Sequence, residues 1–488
     1  MKTDKSCDIL PNYVGGKWIE PAGGNELDVI NPATGEKLGI VRLSSKAEMD
    51  QAISVAKDAF RSWRDTPPVD RARYFFKLKE LLEEDFENLS RILTMENGKT
   101  LAEARGSVRR GIENVEAACG MPSLMQGYTL EDVAVGIDCQ AVRQPMGVFG
   151  CITPFNFPAM VPLWFFPTAV ACGNTFVVKP SEQTPLSQRR MFELVDKAGF
   201  PPGVINLVNG DGEAAGAMIS NPDIKGVSFV GSSAVAESVY KEASKYGKRV
   251  QALGGAKNFV VVMPDCELDS TVSNLIDSIY GCAGERCLAA SVVLAVGDIY
   301  DRFKAKLHEA AKKIKIGNGL DESVNMGPVI SEAHKARVVS YIEKGVAEGA
   351  DLLLDGRDAE VTDCLGGFFV GPTLFDNVKP DMTIAREEIF GPVASIIKVK
   401  DIAEALDIIH GNEYGNATSI YTSSGKHVRR FTHEVGISMI GVNIGVAAPM
   451  AFFMFGGTNK SFFGDLKAYG RDGIEFYTDK RVIISRWF

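Results

Sequence analysis

The chain has 488 residues, 45% hydrophobic and 24% charged, a balance that excludes a disordered or collagen-like chain and predicts two or three folding units, each with its own core. With 53 Lys and Arg against 62 Asp and Glu the formal net charge is −9, so the basic surface that a nucleic-acid partner requires is missing. Nine cysteines are scattered without CxxC pairs or Cys/His zinc spacing, which predicts free thiols in a reducing compartment and no metal site. The opening stretch MKTDKSCDILPNYVGG has no apolar run and is neither Arg-rich nor free of acids, so a cytoplasmic location is expected.

In chain order, residues 47–63 and 70–97 place apolar side chains three and four apart beside charged ones, which predicts two helices. Residues 129–143 alternate loosely, as a hairpin strand does, and could serve as an arm reaching another subunit. The apolar stretch 157–172 is shorter than the roughly 20 residues of a membrane span and holds Pro158, Pro162 and Pro167, so it reads as a buried loop and helix. From residue 147, short β-branched runs (GVFGCITP, TFVVKPS, VINLVNG, GVSFVG, RVQALGG, NFVVVM) alternate with helical stretches, the pattern of parallel sheets with crossover helices. After Ala290 the alternation resumes with VVLAVG, helices over 299–315 and 331–348, ADLLLDG, FFVGPTLFDNV, ASIIKVKD and SIYTS, predicting a second α/β unit. The tail, residues 465–488, ends in EFYTDKRVIISRW and has the alternation to pair with the earlier hairpin.

Several loops carry chemistry. Gly210 to Gly216 follows a strand, but its third glycine comes one residue late for GxGxxG, so an ordinary strand-to-helix turn competes with a nucleotide contact. Gly231-Ser232-Ser233 offers N–H groups and hydroxyls to a pyrophosphate, and a serine N-cap fits as well. Thr153-Pro-Phe155-Asn156-Phe-Pro158 holds an asparagine between prolines after a strand. Lys179 and Glu182 stand at a strand's C-terminal end, where a ribose contact and a solvated surface pair both fit. In Gly284-Glu285-Arg286-Cys287 a cysteine sits among small residues directly after a cation that would favour its thiolate. A small buried cysteine is the competing reading.

TPFNFP, VVKPSEQTP, FVGSS, GERC and Glu387-Glu388-Ile-Phe390-Gly-Pro-Val393 occur in that order, and the ordered set resembles the NAD(P)-dependent aldehyde dehydrogenase superfamily over nearly the whole chain. The resemblance implies an α/β architecture: a Rossmann-type NAD-binding domain (1–126 and 146–252), an α/β catalytic domain (253–447) and a β oligomerisation arm (127–145 and 465–488). It implies Cys287 as the nucleophile, with Asn156 and the Cys287 backbone N–H as oxyanion hole. It implies an NAD site with Thr153, Phe155, Gly231 and Leu253 around the cofactor. Within that site Lys179 and Glu182 would take the adenosine ribose, Gly212 the adenine, Ser232 the pyrophosphate, and Glu388 with Phe390 the nicotinamide ribose. Glu182 would repel a 2′-phosphate, favouring NAD over NADP. One departure weakens the phosphate loop: the glycine expected five residues after Gly231 is Ala236.

A second departure concerns the base. Hydrolytic members carry a glutamate 34 residues before the cysteine, and that position holds Leu253, or Ala252 with the register shifted by one. Without that base a thiol such as coenzyme A is better suited than water to finish the reaction. Within the superfamily GIENVEAACGMPSLMQG, NEYGNATSIYTSSG, APMAFFMFGG and SFFGDLKAYGRDGIEFYTDKRV resemble the CoA-acylating methylmalonate-semialdehyde dehydrogenase branch. That branch selects a carboxylate-bearing aldehyde with two arginines, which fall here on Arg110 and Arg286. The implied reaction is NAD-dependent oxidation and decarboxylation of malonate or methylmalonate semialdehyde to acetyl-CoA or propionyl-CoA, by a homo-oligomer with no nucleic-acid or membrane partner. Two alternatives stay open: a hydrolytic aldehyde dehydrogenase with its base at Glu285 or Glu388, and a cysteine hydrolase or silent NAD-binding protein. None of the five histidines lies in a motif, so a Cys/His dyad lacks a partner.

Overall fold

The computed structural model describes residues 9–488; Met1 to Asp8, and with them Cys7 and most of the opening charged stretch, lie outside the described residues. Strand Val148–Ile152 has Thr175–Lys179 and then Ile205–Leu207 on one side, and Ile224–Val230 and then Arg249–Leu253 on the other, all parallel. The chain therefore builds outward in one direction, returns, and builds outward in the other. That reversal makes a topological switch point between Val148–Ile152 and Ile224–Val230, and open α/β sheets bind ligands at such a point, beyond the strands' C-terminal ends. Short antiparallel strands extend both edges to give eight strands in all.

Both faces of this sheet are covered, which is why VFGCI and TFVVK are buried at every position. Val148, Ile152 and Val177 pack with helices Lys46–Asp65, Gly212–Ser220 and Ser233–Lys245, while Phe149, Cys151, Phe176 and Val178 pack with Met160–Ala171 and Leu186–Ala198. The alternation of sides along each strand follows the two-residue pleat. The apolar stretch at 157–172 is thus a loop and the helix Met160–Ala171, buried despite its internal Pro167. Among the described residues no helix is long and apolar enough to cross a membrane.

The second sheet has seven strands in the order Asp351–Leu354, Thr373–Asp376, Val393–Val399, Ala290–Val296, Asn258–Val262, Ala417–Tyr421, Met439–Val442. All run parallel except Asp351–Leu354. The chain crosses from one sheet to the other between Leu253 and Asn258. A third, three-stranded sheet pairs Tyr128–Ala134 with Ile137–Pro145, and Ile137–Pro145 with Thr478–Arg486, both antiparallel. The tail pairs with the hairpin as expected, but the helix Gly470–Tyr477 precedes its strand.

Three further differences have local causes. The helix expected over 70–97 is two, Pro68–Glu84 and Phe86–Asn97, broken at Asp85, whose carboxylate is engaged by Arg190. The apolar spacing runs through the break and hides it. Helix Leu101–Cys119 adds to the two helices read from apolar spacing, and Gly106, Gly111 and three arginines interrupt its apolar stripe. Gly111 is there for contact: a Cβ would come within 2.8 Å of Leu163 Cδ1, on the neighbouring helix. Finally, of FFVGPTLFDNV only Thr373–Asp376 is strand.

Candidate active site

Cys287 leaves a strained turn. After helix Leu268–Tyr280 the chain bends through Gly281–Gly284, with Cys282 and Ala283 both at φ 51° and Gly284 at φ +72°. A Cβ on Gly284 would overlap the Gly391 carbonyl, so only glycine lets the turn close on the Glu388-to-Pro392 loop. The Cys287 carbonyl accepts from Asn258 Nδ2 at 2.9 Å and Asn416 Nδ2 at 2.8 Å, which ties the cysteine to the second sheet. From the first sheet, Asn156 Nδ2 donates to the Glu285 carbonyl at 2.9 Å, and buried Lys99 Nζ donates to the Asn156 carbonyl at 2.6 Å. Two motifs 131 positions apart, Asn156 and Cys287, thereby meet between the sheets.

A cavity of about 860 Å³ opens on Cys287 and is lined by both Arg110 and Arg286, with Phe157, Trp164, Phe455 and Tyr469 as apolar wall. Arg110 pairs with Glu113 at 2.7 Å and donates to the Pro449 carbonyl. Arg286 favours the Cys287 thiolate, as its sequence position suggested, but is the weakest of the influences on it. Its Nε reaches Cys282 Sγ at 3.2 Å, its Nη1 the Asp277 carbonyl at 3.0 Å, and its Nη2 lies 3.6 Å from Glu103. Burial first, and the Glu388 carboxylate second, push the Cys287 thiol up to about 12.

The residues expected around a cofactor gather at the switch point. Thr153 N–H donates to the Lys179 carbonyl at 3.1 Å, joining the ends of two adjacent strands, and Thr153 Oγ1 is buried without a partner. Lys179 Nζ lies 3.4 Å from Glu182 and donates to the Gly210 carbonyl, so this pair faces the next loop rather than open solvent. Gly212 begins a helix capped by Asp211, with nothing within 4 Å of where a Cβ would stand. Gly231 N–H meets the Leu253 carbonyl at 3.1 Å. Ser232 is the N-cap position of Ser233–Lys245, yet no side chain caps that helix. Ala236 turns its methyl into the sheet core beside Val239 and Ala243.

Leu253 is buried in the same apolar cluster as Cys287. Glu388 accepts the Ala256 N–H at 2.8 Å, and burial pushes its carboxyl up to about 7. Phe390, at φ 62°, sets its ring 6.0 Å from Phe155. His334, absent from every motif, stands among these groups: its Nε2 is 2.7 Å from the Phe390 carbonyl and 3.5 Å from Glu285. Glu285 also accepts the Ile330 N–H at 3.1 Å, and burial raises it to about 8. Sequence reasoning missed His334, Lys99 and Glu103. Only the Thr100-to-Glu103 capping box had left a local signal.

The chain matches the model of the aldehyde dehydrogenase family over residues 18–483. It belongs to the aldehyde dehydrogenase family. A malonate-semialdehyde dehydrogenase of Geobacillus kaustophilus HTA426 is 54% identical over 479 residues, covering 98% of this chain and 99% of that one. The crystal structure of a methylmalonate-semialdehyde dehydrogenase from Oceanimonas doudoroffii matches with a TM-score of 0.97 at 45% identity, covering 98% of each chain. A structure from Sinorhizobium meliloti 1021, assigned to the same activity and solved with NAD, matches at 0.97 and 42% identity over 99% of each chain. In this aldehyde dehydrogenase the carboxyls of Glu285 and Glu388 are each held by a backbone N–H. The segment after strand Arg249–Leu253 carries none.

Proposed function

We propose that the chain catalyses NAD-dependent, CoA-acylating oxidation of malonate or methylmalonate semialdehyde, with loss of CO2, to acetyl-CoA or propionyl-CoA. One observation carries the reading: Cys287 shares its cavity with two arginines while Leu253 stands where a hydrolytic base would be. The cofactor residues fit a dinucleotide, since an uncapped helix N-terminus, an orphaned Thr153 hydroxyl and the Lys179–Glu182 pair all lie along one switch point. NAD, when bound, supplies the hydride acceptor.

Arg110 and Arg286 hold the substrate carboxylate, and so turn the aldehyde carbon toward Cys287. Cys287 sulfur, its thiol proton lost to solvent, adds to that carbon, and the Asn156 amide with the Cys287 N–H receives the developing oxyanion. Once the hydride has left, Cys287 carries a thioester whose β-carboxylate is positioned for loss. The C–C bond breaks to release CO2, its electron pair passes to the thioester carbonyl as an enolate held by the same two donors, and the carbon takes up a proton. The CoA thiol then displaces Cys287. Water competes poorly because no carboxylate at residue 253 activates it. We assign the cofactor half to residues 1–126 and 146–252, and the catalytic half to 253–447. The three-stranded sheet serves as the face through which copies of the chain assemble, as a dimer or tetramer.

The test is NADH formation from malonate semialdehyde with and without CoA. A release of about one NADH per site followed by a sharp slowing is expected without CoA, with steady turnover and an acyl-CoA of the expected mass once CoA is added. Equal linear rates in both, ending in free acid, would reject acylation and favour hydrolysis with the base at Glu285 or Glu388.

A further inference from the structure

Glu103 does more than a helix cap needs. Its Oε2 accepts the Thr100 N–H at 2.8 Å, and its own N–H reaches Thr100 Oγ1 at 3.3 Å, which completes the capping box of helix Leu101–Cys119. The second oxygen is not needed for that. Oε1 instead accepts the Cys282 N–H, 179 positions away, at 2.6 Å. This is the residue at which the backbone enters its left-handed stretch before the nucleophile. The same Oε1 lies 3.6 Å from Arg286 Nη2, too far for a direct hydrogen bond and near enough to balance the charge.

Each arginine of the cavity is paired with a glutamate of helix Leu101–Cys119. Arg110 is tightly paired with Glu113 at 2.7 Å, and Arg286 is loosely paired with Glu103 at 3.6 Å. Glu103, Ser107, Arg110 and Asn114 all line the cavity, at the three- and four-residue spacing of one helical face. Arg286 Nε and Nη1 donate to Cys282 Sγ and the Asp277 carbonyl, which anchors the guanidinium and leaves Nη2 for a carboxylate.

We propose that Glu103 is a positioning and specificity residue: it holds the turn before Cys287 and occupies Arg286 as a stand-in carboxylate that the substrate's carboxylate must displace. The inference rests on the proposed reading of Arg286. Its chemical consequence is that Glu103 weakens the binding of carboxylate-bearing aldehydes by competing for the guanidinium and by like-charge repulsion, while keeping the buried cation paired when the site is free.

Kinetics with malonate semialdehyde and with propanal separate the two roles. Glu103→Gln removes the charge and keeps one oxygen acceptor, enough for the Cys282 N–H or the Thr100 N–H but not both, so the KM ratio rather than kcat is its readout. The ratio of KM for malonate semialdehyde to KM for propanal should fall on the order of tenfold, and competitive inhibition by malonate should tighten in step. Glu103→Ala also removes the Cys282 acceptor and should lower kcat on both aldehydes. Arg286→Ala is the control and should raise the KM ratio. An unchanged ratio and unchanged malonate inhibition in Glu103→Gln, with the ratio raised in Arg286→Ala, would overturn the Glu103 proposal and leave the arginine reading intact. A ratio that stays put in Arg286→Ala would reject the arginine reading itself, and the Glu103 proposal with it.

Discussion

Arg286 and Cys287 are adjacent in sequence and the cation favours the thiolate, but burial and Glu388 outweigh it because the guanidinium is turned toward Cys282 Sγ. The sign follows directly. A thiol raised to about 12 is almost wholly protonated near neutrality, and its thiolate fraction grows about tenfold per pH unit below that value. Alkylation of Cys287 by iodoacetamide in the NAD-free protein, read from the mass of its peptide, should therefore climb from pH 7 to pH 10 without a plateau. A plateau near pH 7 would show a thiolate already held in the free chain. The arginines give a second prediction at this scale, because both line the cavity together with Cys287. Arg110→Ala and Arg286→Ala should each raise KM for malonate semialdehyde by about 10- to 150-fold over any effect on propanal, the loss of a charge-assisted contact being on the order of 1.5–3 kcal/mol. Equal losses on both aldehydes would remove the carboxylate from their role.

Between elements, the helix Phe86–Asn97 braces the start of helix Leu186–Ala198 through one side chain. Glu96, fully buried, accepts the Leu186 N–H at 2.7 Å and the Ser187 N–H at 3.0 Å, capping helix Leu186–Ala198 just after the Lys179-to-Pro185 loop. Burial pushes its carboxyl up to about 7 from a usual value of 4.5. The folded state therefore holds this proton more tightly than the unfolded one. Its contribution is fully present below pH 4.5 and is lost as pH rises through about 7. Glu96→Ala should cost about 1–3 kcal/mol in denaturant unfolding by orphaning two donors, and Glu96→Gln should flatten the fall in stability between pH 4.5 and about 7. An unchanged pH dependence in the glutamine variant would place the titration elsewhere. This cap also marks the limit of what sequence shows. VFGCI and TFVVK were legible as parallel strands because burial on both faces leaves unbroken apolar runs, and GERC and TPFNFP were legible because each is a contiguous motif. Glu96, Glu103 and His334 act on residues tens to hundreds of positions away, and nothing local to them records the partner. The break at Asp85 was hidden for the opposite reason, a local pattern that continues through it.

For the whole molecule, the unresolved demand is the outer face of the three-stranded sheet. Its register puts Tyr128, Ala141 and Val482 in one cross-strand row and Leu130, Cys139 and Ile484 in the next. Rows two residues apart share a face. Tyr128 and Ile484 are each 71% exposed, and Leu130 and Val482 each 64%, a contiguous apolar stripe that a monomer in water rarely leaves uncovered. The sheet's two outer strands, Tyr128–Ala134 and Thr478–Arg486, add edges able to pair with another chain. Because the stripe is built from both the hairpin and the C-terminal strand, a second copy of the chain would present the same surface to it, as a two-fold contact requires. Light scattering should accordingly give the wild-type chain a mass of at least two copies. Leu130→Lys combined with Ile484→Lys places a cation in each strand on the stripe's second row, and should reduce that mass to one. Cys287, Arg110, Arg286 and Asn156 all come from a single chain, so the dissociated variant should still bind malonate at the cavity, with any loss of turnover traced to stability. A wild-type chain that runs as a monomer, or a double variant that stays assembled, would show that this sheet is not where copies meet.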